Sequence, residues 1–567
     1  MHCFSFSCRK QKNCGRTSVA QNALPALSNR IHLRIDGELD MRTHEKMSNR
    51  MALRHEAGDM TSRDKRTRLA TRQEGAFAVM FGPLLIVIIG FCGMAIDAGR
   101  LYNRKVDLHG MAREVALSAA HELNGTAAGV LAAKAMARQT AERLKYQYYG
   151  NGSDFVWSDD ALSFSTSPSR SGTWIPASSL GPESTEAASG LYFTKVDTSG
   201  IDKEATTVKT FFIQILSSNL ATVQLQDSAI AGRVSINVTP IGVCAMSAEK
   251  TAERKATAAN GTVLSELVQY GFRRGVSYDL MQLNPNGTTP VRFAINPAAA
   301  PQTGGSAFSI SMLKPFMCSG TMWVPRLTGG DIRVTPLPST SPLASLYTPL
   351  NSRFNKYVNG SCEPSISPPD ANSKEYAYDQ TNGVKWMNPV KGTPAALTTR
   401  ARNKLETVAD LPDNHPALPS SPGDYGPLWA YARAVKAPSP VDSAEPSGGY
   451  TAFDASVWAT LYKSGPTKQS NYPNLPSVPY QATTTTNGFY LPPTVASGTV
   501  PTRNRRVLNI PLLSCSPTAP AGSNAQATVL AIAKFFMMVP ATEESLIAEF
   551  SGLIEEQSLT GEVRLYP

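Results

Sequence analysis

The hydrophobic pattern changes character several times along the chain. Residues 1–59 show no clear apolar period. Between Gly75 and Ile96 the sequence then runs 22 residues without a charge, GAFAVMFGPLLIVIIGFCGMAI. As a helix this stretch is roughly 33 Å long at 1.5 Å per residue, enough for a hydrocarbon core of about 30 Å. A secretory signal would have a shorter apolar region and a small-x-small cleavage site. Gly93-Met94-Ala95 is the nearest approach to one, so a retained helix is expected and cleavage there is the alternative. Phe91 directly before Cys92 excludes a lipid-modified cysteine, which needs a small residue in that place. A buried helix of a globular core would be unusually long at 22 uncharged residues.

Beyond the apolar run the period becomes helical. No proline occurs between Pro83 and Pro168, so the helix is free to continue past the bilayer surface. Leu101, Leu108 and Val115 recur every seven residues, with Met111 and Ser118 between them. Arg100, Arg104, Lys105 and Arg113 mostly occupy other faces, which predicts an amphipathic stem. Asn124-Gly125 is a C-terminal stop signal. A second helix is expected over about 127–148, closed by Gly150-Asn151-Gly152.

From residue 151 onward, short β-rich runs alternate with turn signals: SGLYFTKVDTS, ATVQLQDSAIAGRVSINVTPIGVC, TTPVRFAIN, GDIRVTPL, RRVLNIPLLSC and KFFMMVPA. Asn286-Gly287 suits a two-residue hairpin turn. Helices are expected over Ala252 to Tyr270, with Asn260-Gly261 as a potential interruption, and over KLETVADL. Segments 336–380 and 412–505, dense in Pro, Ser, Thr and Gly, read as extended loop insertions. The late apolar strands suggest that the C-terminus returns to the same domain. The expected fold class is therefore α+β: a single N-terminal transmembrane helix (74–97), a helical stem (98–150) and a β-rich exported domain with long loops (151–567).

Charge sharpens the topology. Residues 1–73 carry 15 Lys and Arg against 7 Asp and Glu, which is most of the chain's formal +10. This basic leader reads as unstructured, and Met60, followed by TSRDKRTRLATRQEG, is a plausible true start, as are Met47 and Met51. Six positive residues precede the span (Arg54, Arg63, Lys65, Arg66, Arg68 and Arg72) and four follow it, a mild bias toward a cytoplasmic N-terminus. No basic stripe with interleaved aromatics exists after residue 73, so nucleic acid is not an expected partner.

Candidate chemistry is sparse. Four cysteines lie on the exported side, Cys244, Cys318, Cys362 and Cys515. An even count in an oxidising compartment suggests two disulfides, with three pairings open; no C-x-x-C spacing supports zinc. The histidines after the span are His109, His121 and His415, none with a partner histidine at metal-ligand spacing. No G-x-S-x-G elbow or phosphate-binding glycine loop is present. No enzyme activity, cofactor, metal or small-molecule substrate is expected.

The segment RQEGAFAVMFGPLLIVIIGFCGMAIDAGRLYNRKVDLHGMAREVALSAAHELNG resembles the N-terminal module of the Flp pilus-assembly TadE/TadG-like proteins, over about 50 residues. The resemblance rests on Gly75 opening the span, then Asp97, Gly99, Arg100 and Leu101 at its end, then Arg104, Lys105 and the Ala116 to Ala120 run. Residues 205–235 resemble the element that follows this module in many TadG-like proteins, with Val208, Phe212 and Ile215 at helical spacing and Val223 and Leu225 alternating as in a strand. Two departures matter. Arg113-Glu114 stands where the family's helix has an Asp, and Met80 stands where a processed pilin carries Glu. The match is therefore to the membrane-retained, TadG-like type. Many such proteins carry a von Willebrand factor A-type domain with an Asp-x-Ser-x-Ser metal site. Asp454-Ala455-Ser456-Val457-Trp458 fails at Trp458, which cannot coordinate a cation, and Asp197-Thr198-Ser199-Gly200 fails similarly.

The resemblance implies a structural component of Flp (Tad) pilus assembly in the inner membrane. It would be single-pass and periplasm-facing, with other pilus-assembly proteins as partners through the transmembrane helix and stem. The alternative is a pilus-associated or surface adhesin-like module. Asp97, at the membrane edge, is expected to act in the interface or in helix packing rather than as an ion site.

Overall fold

The computed structural model describes residues 74–148, 156–299, 308–338, 344–357, 362–376, 398–411, 428–462, 490–496, 498–559 and 561–566. Helix α1 (Glu74–Glu122) is unbroken over 49 residues, about 73 Å, with Pro83 inside its N-terminal part. Its stretch from Met80 is long and apolar enough to cross a membrane. Most side chains of residues 80–96 point outward. Gly93 and Asp97, four residues apart, begin a buried stripe that continues through Leu108, Met111, Ala112, Val115, Ala116, Ala119 and Ala120. One helix thus passes from an all-round apolar surface to a one-sided amphipathic one without a break.

The stem ends as its sequence predicts. Gly125 takes the left-handed region (φ +79°), and the Thr126 hydroxyl accepts the Gly129 N–H at 3.2 Å, opening α2 (Ala127–Tyr148). Helix α2 buries Val130, Ala133, Ala137, Ala141 and Leu144. These residues and the α1 stripe share one core with an antiparallel five-stranded sheet. That sheet holds β1 (Leu162–Ser165), β2 (Ile175–Pro176), β3 (Phe193–Asp197), β6 (Ser228–Arg233) and β19 (Val563–Tyr566), in the order β19-β6-β3-β1-β2. Leu162 and Phe164 on β1, and Ala229 and Ala231 on β6, alternate inward toward the helices. The stem therefore fills its apolar face with its own domain, and the C-terminal strand β19 returns to pair with β6.

A larger sheet follows. Strands β7 (Ile241–Cys244), β12 (Phe293–Ile295), β13 (Asp331–Pro336), β17 (Ala525–Met537) and β16 (Val507–Leu513) close into a ring. Strand β16 pairs in parallel with β7 and antiparallel with β17. Strands β18 (Ile547–Ile554) and β11 (Ser277–Asp279) extend it from the second half of β17. Alternate residues feed two cores: Phe293 and Ile295 enter one, Ala294 the other.

Several expectations need correction. Ala252 to Tyr270 is a hairpin of β8 (Ala252–Thr257) and β9 (Val263–Gln269), with short β10 (Phe272–Arg273) beside it, not a helix. Arg254 and Ala256 turn inward while Glu253, Lys255 and Thr257 turn out, a period of two that overrides the helical propensity of Ala, Glu, Arg and Lys. Asn260-Gly261 forms its turn, with Gly261 at φ +81°. KLETVADL begins with β15 (Lys404–Thr407), paired with β14 (Thr398–Ala401) around Arg402 and Asn403, both at positive φ. Asn286-Gly287 is not a hairpin turn. Neither residue has positive φ, and strands β11 and β12 on either side pair with other strands. The Asn284 side chain instead organises a wider loop, accepting from Asn286 N–H at 2.8 Å and donating to Thr289 O at 2.5 Å.

The described parts of segment 336–380 are core, not decoration. Leu346, Tyr347, Leu350, Phe354 and Tyr376 are buried in the larger core. Arg506 anchors them: its guanidinium stacks on Phe354 and Phe536 (4.4 Å each) and donates to the carbonyls of Asn372, Lys374 and Met537 at 2.6–3.0 Å. The described stretch 428–462 of segment 412–505 is core as well: Leu428, Trp429, Ala430, Phe453, Leu461 and Tyr462 are buried in the same cluster, whereas 412–427, 463–489 and 497 lie outside the described residues.

The four cysteines beyond the stem pair as Cys244–Cys515 and Cys318–Cys362, with Cα–Cα distances of 5.5 and 5.7 Å. The first joins the parallel neighbours β7 and β16, and the second ties the insertion to the short helix Lys314–Ser319. Replacing Cys318 and Cys362 together by serine is expected to cost about 4 kcal/mol in the chain-entropy account for a separation of 44 residues. Urea unfolding of the oxidised protein and the variant measures it; equal midpoints would contradict it.

Candidate functional site at the base of the stem

The sequence motif at the end of the apolar run becomes a clamp. The Asp97 side chain is buried on α1, and its carboxylate accepts three consecutive backbone N–H groups: Phe211 at 3.0 Å, Phe212 at 2.7 Å and Ile213 at 2.9 Å. These groups open a one-turn helix, Ile213–Leu216. Its first N–H groups have no partner within the turn, so a carboxylate is a natural acceptor for them.

The turn sits in a hairpin of β4 (Thr207–Lys209) and β5 (Thr222–Gln224). Thr210 N–H to Ala221 O (3.0 Å) and Leu225 N–H to Thr206 O (2.9 Å) close it at both ends. The expected run of helical spacing from Val208 to Ile215 is thus interrupted: Val208 lies in a strand, and only Ile213–Leu216 is helical.

Three further side chains fasten the hairpin and the residues that follow it. Arg100 places its guanidinium 4.5 Å from the Phe211 ring centroid and donates to Lys209 O at 3.2 Å. Lys105 and His109 both meet the Asp227 carboxylate at 3.2 Å, and Lys105 also donates to Gln226 O. These outer charge contacts are exposed and add little individually. Gly93 makes the close approach possible, since a Cβ there would fall 2.3 Å from Phe212 Cδ1.

Beside the clamp, Arg100, Arg104, Asp107, Lys203, Glu204 and Lys209 line an open polar cleft of about 760 Å³. Among the described residues no group of three His, Cys, Asp or Glu is placed to hold a metal. Asp454 and Asp197 are local turn formers: Asp454 accepts from Ser456 N–H at 2.9 Å, and Asp197 from Ser199 N–H at 3.0 Å. His121 lies 3.8 Å from Glu122, while His415 lies outside the described residues.

Of the motif residues, Asp97 and Arg100 reach the hairpin. Leu101 is half-buried, and Gly99 faces outward into open space. Gly75 lies in the first turn of α1. Sequence reasoning weighed Gly93 only as part of a cleavage site and did not single out Asp227. Their signal was a glycine four residues before Asp97, and an aspartate just before the strand-like run after Leu225. No family profile, curated protein or solved structure matches the chain.

Proposed function

We propose that the chain is a structural component of Flp (Tad) pilus assembly, anchored in the inner membrane by α1 and facing the periplasm. It acts by anchoring and contact rather than turnover. One observation carries the reading. The two segments whose sequences resemble TadG-like proteins, 72–125 and 205–235, are joined through the motif residues Asp97 and Arg100 across more than 100 residues of chain. A motif aspartate that clamps the second segment gives both segments one physical purpose: holding the exported domain rigidly at the base of its membrane helix.

Because the inward stripe of α1 is filled by its own sheet, partners are assigned to the outward side. There Tyr102 and Val106 continue the exposed apolar surface beyond the span.

The test is fractionation with shearing. A strain lacking the gene is expected to lose surface fibres, with the protein of the parent strain remaining in the inner-membrane fraction after fibres are sheared off. Recovery of the protein with the fibres would overturn the anchor and favour the adhesin-like alternative.

A further inference from the structure

The clamped hairpin carries its own apolar surface, and this surface sits beside the apolar helix. Phe211 is 57% exposed, Ile215 78% and Leu220 45%. All three lie within the run KTFFIQILSSNL. Their height along α1 is fixed by two contacts. Asp97 holds the backbone of residues 211–213. The Phe212 ring packs against Gly93, one turn further into the uncharged run and so about 6 Å deeper along the helix axis. Phe91 and Ile96, on either side of Gly93, are themselves widely exposed apolar residues of the span. Hairpin and helix therefore present adjoining apolar surfaces at one level.

The charges next to this surface are arranged for a membrane boundary. Arg100 stacks over Phe211 with its guanidinium beside Lys209 O, and Arg104, Lys203 and Lys209 line the neighbouring cleft with Asp107 and Glu204. A cation stacked on exposed Phe211, in a hairpin that also exposes Ile215 and Leu220, fits a segment lying in the headgroup–acyl boundary, where apolar side chains enter the acyl region and cations meet lipid phosphates. An exposed apolar patch of this kind in water would be an association liability.

We propose that the Thr207–Gln224 hairpin is a second membrane contact. It rests Phe211, Ile215 and Leu220 in the interface of the leaflet from which α1 emerges, and its partner is the phospholipid surface itself. This rests on the reading of α1 as a membrane span. With two points of attachment, the domain is fixed in tilt and height relative to the bilayer instead of swivelling on one helix.

The test uses the full chain with Cys3, Cys8, Cys14 and Cys92 replaced by serine and both disulfides intact. It is reconstituted in vesicles of phosphatidylethanolamine and phosphatidylglycerol. An environment-sensitive fluorophore is attached through one substitution at a time: Ile215→Cys or Phe211→Cys on the hairpin, Ile89→Cys in the span, and Ser171→Cys on an exposed loop. At 215 and 211 the emission is expected to be quenched by lipid carrying a nitroxide just below its headgroup. Aqueous iodide should quench these sites at least about threefold less than 171. If 215 and 211 respond to iodide like 171, the hairpin is in water and the proposal fails while the span stands. If 89 is also open to iodide, the span itself fails, and the hairpin contact with it. Protection of 215 in native membranes but not in vesicles would assign the surface to a protein partner and overturn the lipid assignment.

Discussion

Replacing Asp97 by alanine is expected to release the Thr207–Gln224 hairpin from α1 while leaving the rest of the domain folded. The substitution removes the acceptor of three backbone N–H groups at once. It does so at a site where the alternative partner, water, is scarce, so the loss is felt in full. Amide exchange at Phe211, Phe212 and Ile213 is expected to accelerate on the order of 10- to 100-fold, and chymotrypsin to cut after Phe211 or Phe212. Asp97→Asn retains one acceptor and should fall between. Arg100→Ala, which loses one hydrogen bond and one ring contact, should have the smallest effect. Unchanged exchange in Asp97→Ala would show that the Gly93 packing and the Asp227 contacts hold the hairpin by themselves.

The second large effect is expected at Glu549 on β18. Its fully buried carboxyl group accepts from the N–H groups of Ala430 (2.8 Å), Tyr431 (3.1 Å) and Ala432 (2.7 Å). It thereby docks the segment that carries buried Trp429 and the Tyr431 ring stacked on Phe536. Glu549→Ala leaves three buried donors without an acceptor and is expected to cost at least about 3 kcal/mol, read as a lowered urea midpoint of the domain.

The same residue makes a pH prediction. Burial pushes its carboxyl up from 4.5 to about 8, against the three backbone donors that pull it down. Burial also raises Asp279 and Asp410. A carboxyl raised in the folded state binds protons that the unfolded chain has already released. Its stabilising contribution is therefore complete below about pH 4.5 and is lost as pH rises through about 8. The melting temperature is expected to fall between pH 5 and pH 8, and Glu549→Gln to flatten that slope. A wild-type melting temperature that rises over this interval would contradict the assignment.

The features legible in the sequence are those set by local chemistry. The uncharged run, the heptad of Leu101, Leu108 and Val115, the Asn124-Gly125 stop and the second helix all reappear. So do the strands in FTKVD, SAIAGR, IGVC, FAI, DIRVTP and VLNIPLL. What stayed hidden depends on partners far along the chain. Ala252 to Tyr270 has the composition of a helix and becomes a hairpin because alternate residues find a core. The Pro- and Ser-rich insertion looks solvent-exposed until Arg506 and the Cys318–Cys362 bridge draw it inward.

The candidate site divides in the same way. Asp97 and Arg100 stand out as a charged ending to an apolar helix, but the backbone donors that answer Asp97 lie 114–116 residues away. No periodicity connects them. The Cys244–Cys515 pairing is equally a property of the closed ring, since only there do β7 and β16 become neighbours.

The central claim is that α1 crosses the membrane and that everything from the Asp97 clamp onward lies on the far side. Labelling intact spheroplasts with a membrane-impermeant maleimide, in a chain otherwise free of unpaired cysteines, tests it most directly. Ser171→Cys, on an exposed loop of the domain, is expected to react before lysis, and Ser62→Cys, in the leader, only after it. Reaction of Ser62→Cys in intact spheroplasts with Ser171→Cys protected would invert the topology. Reaction of neither before lysis would place the domain in the cytoplasm, and either result would contradict the anchor.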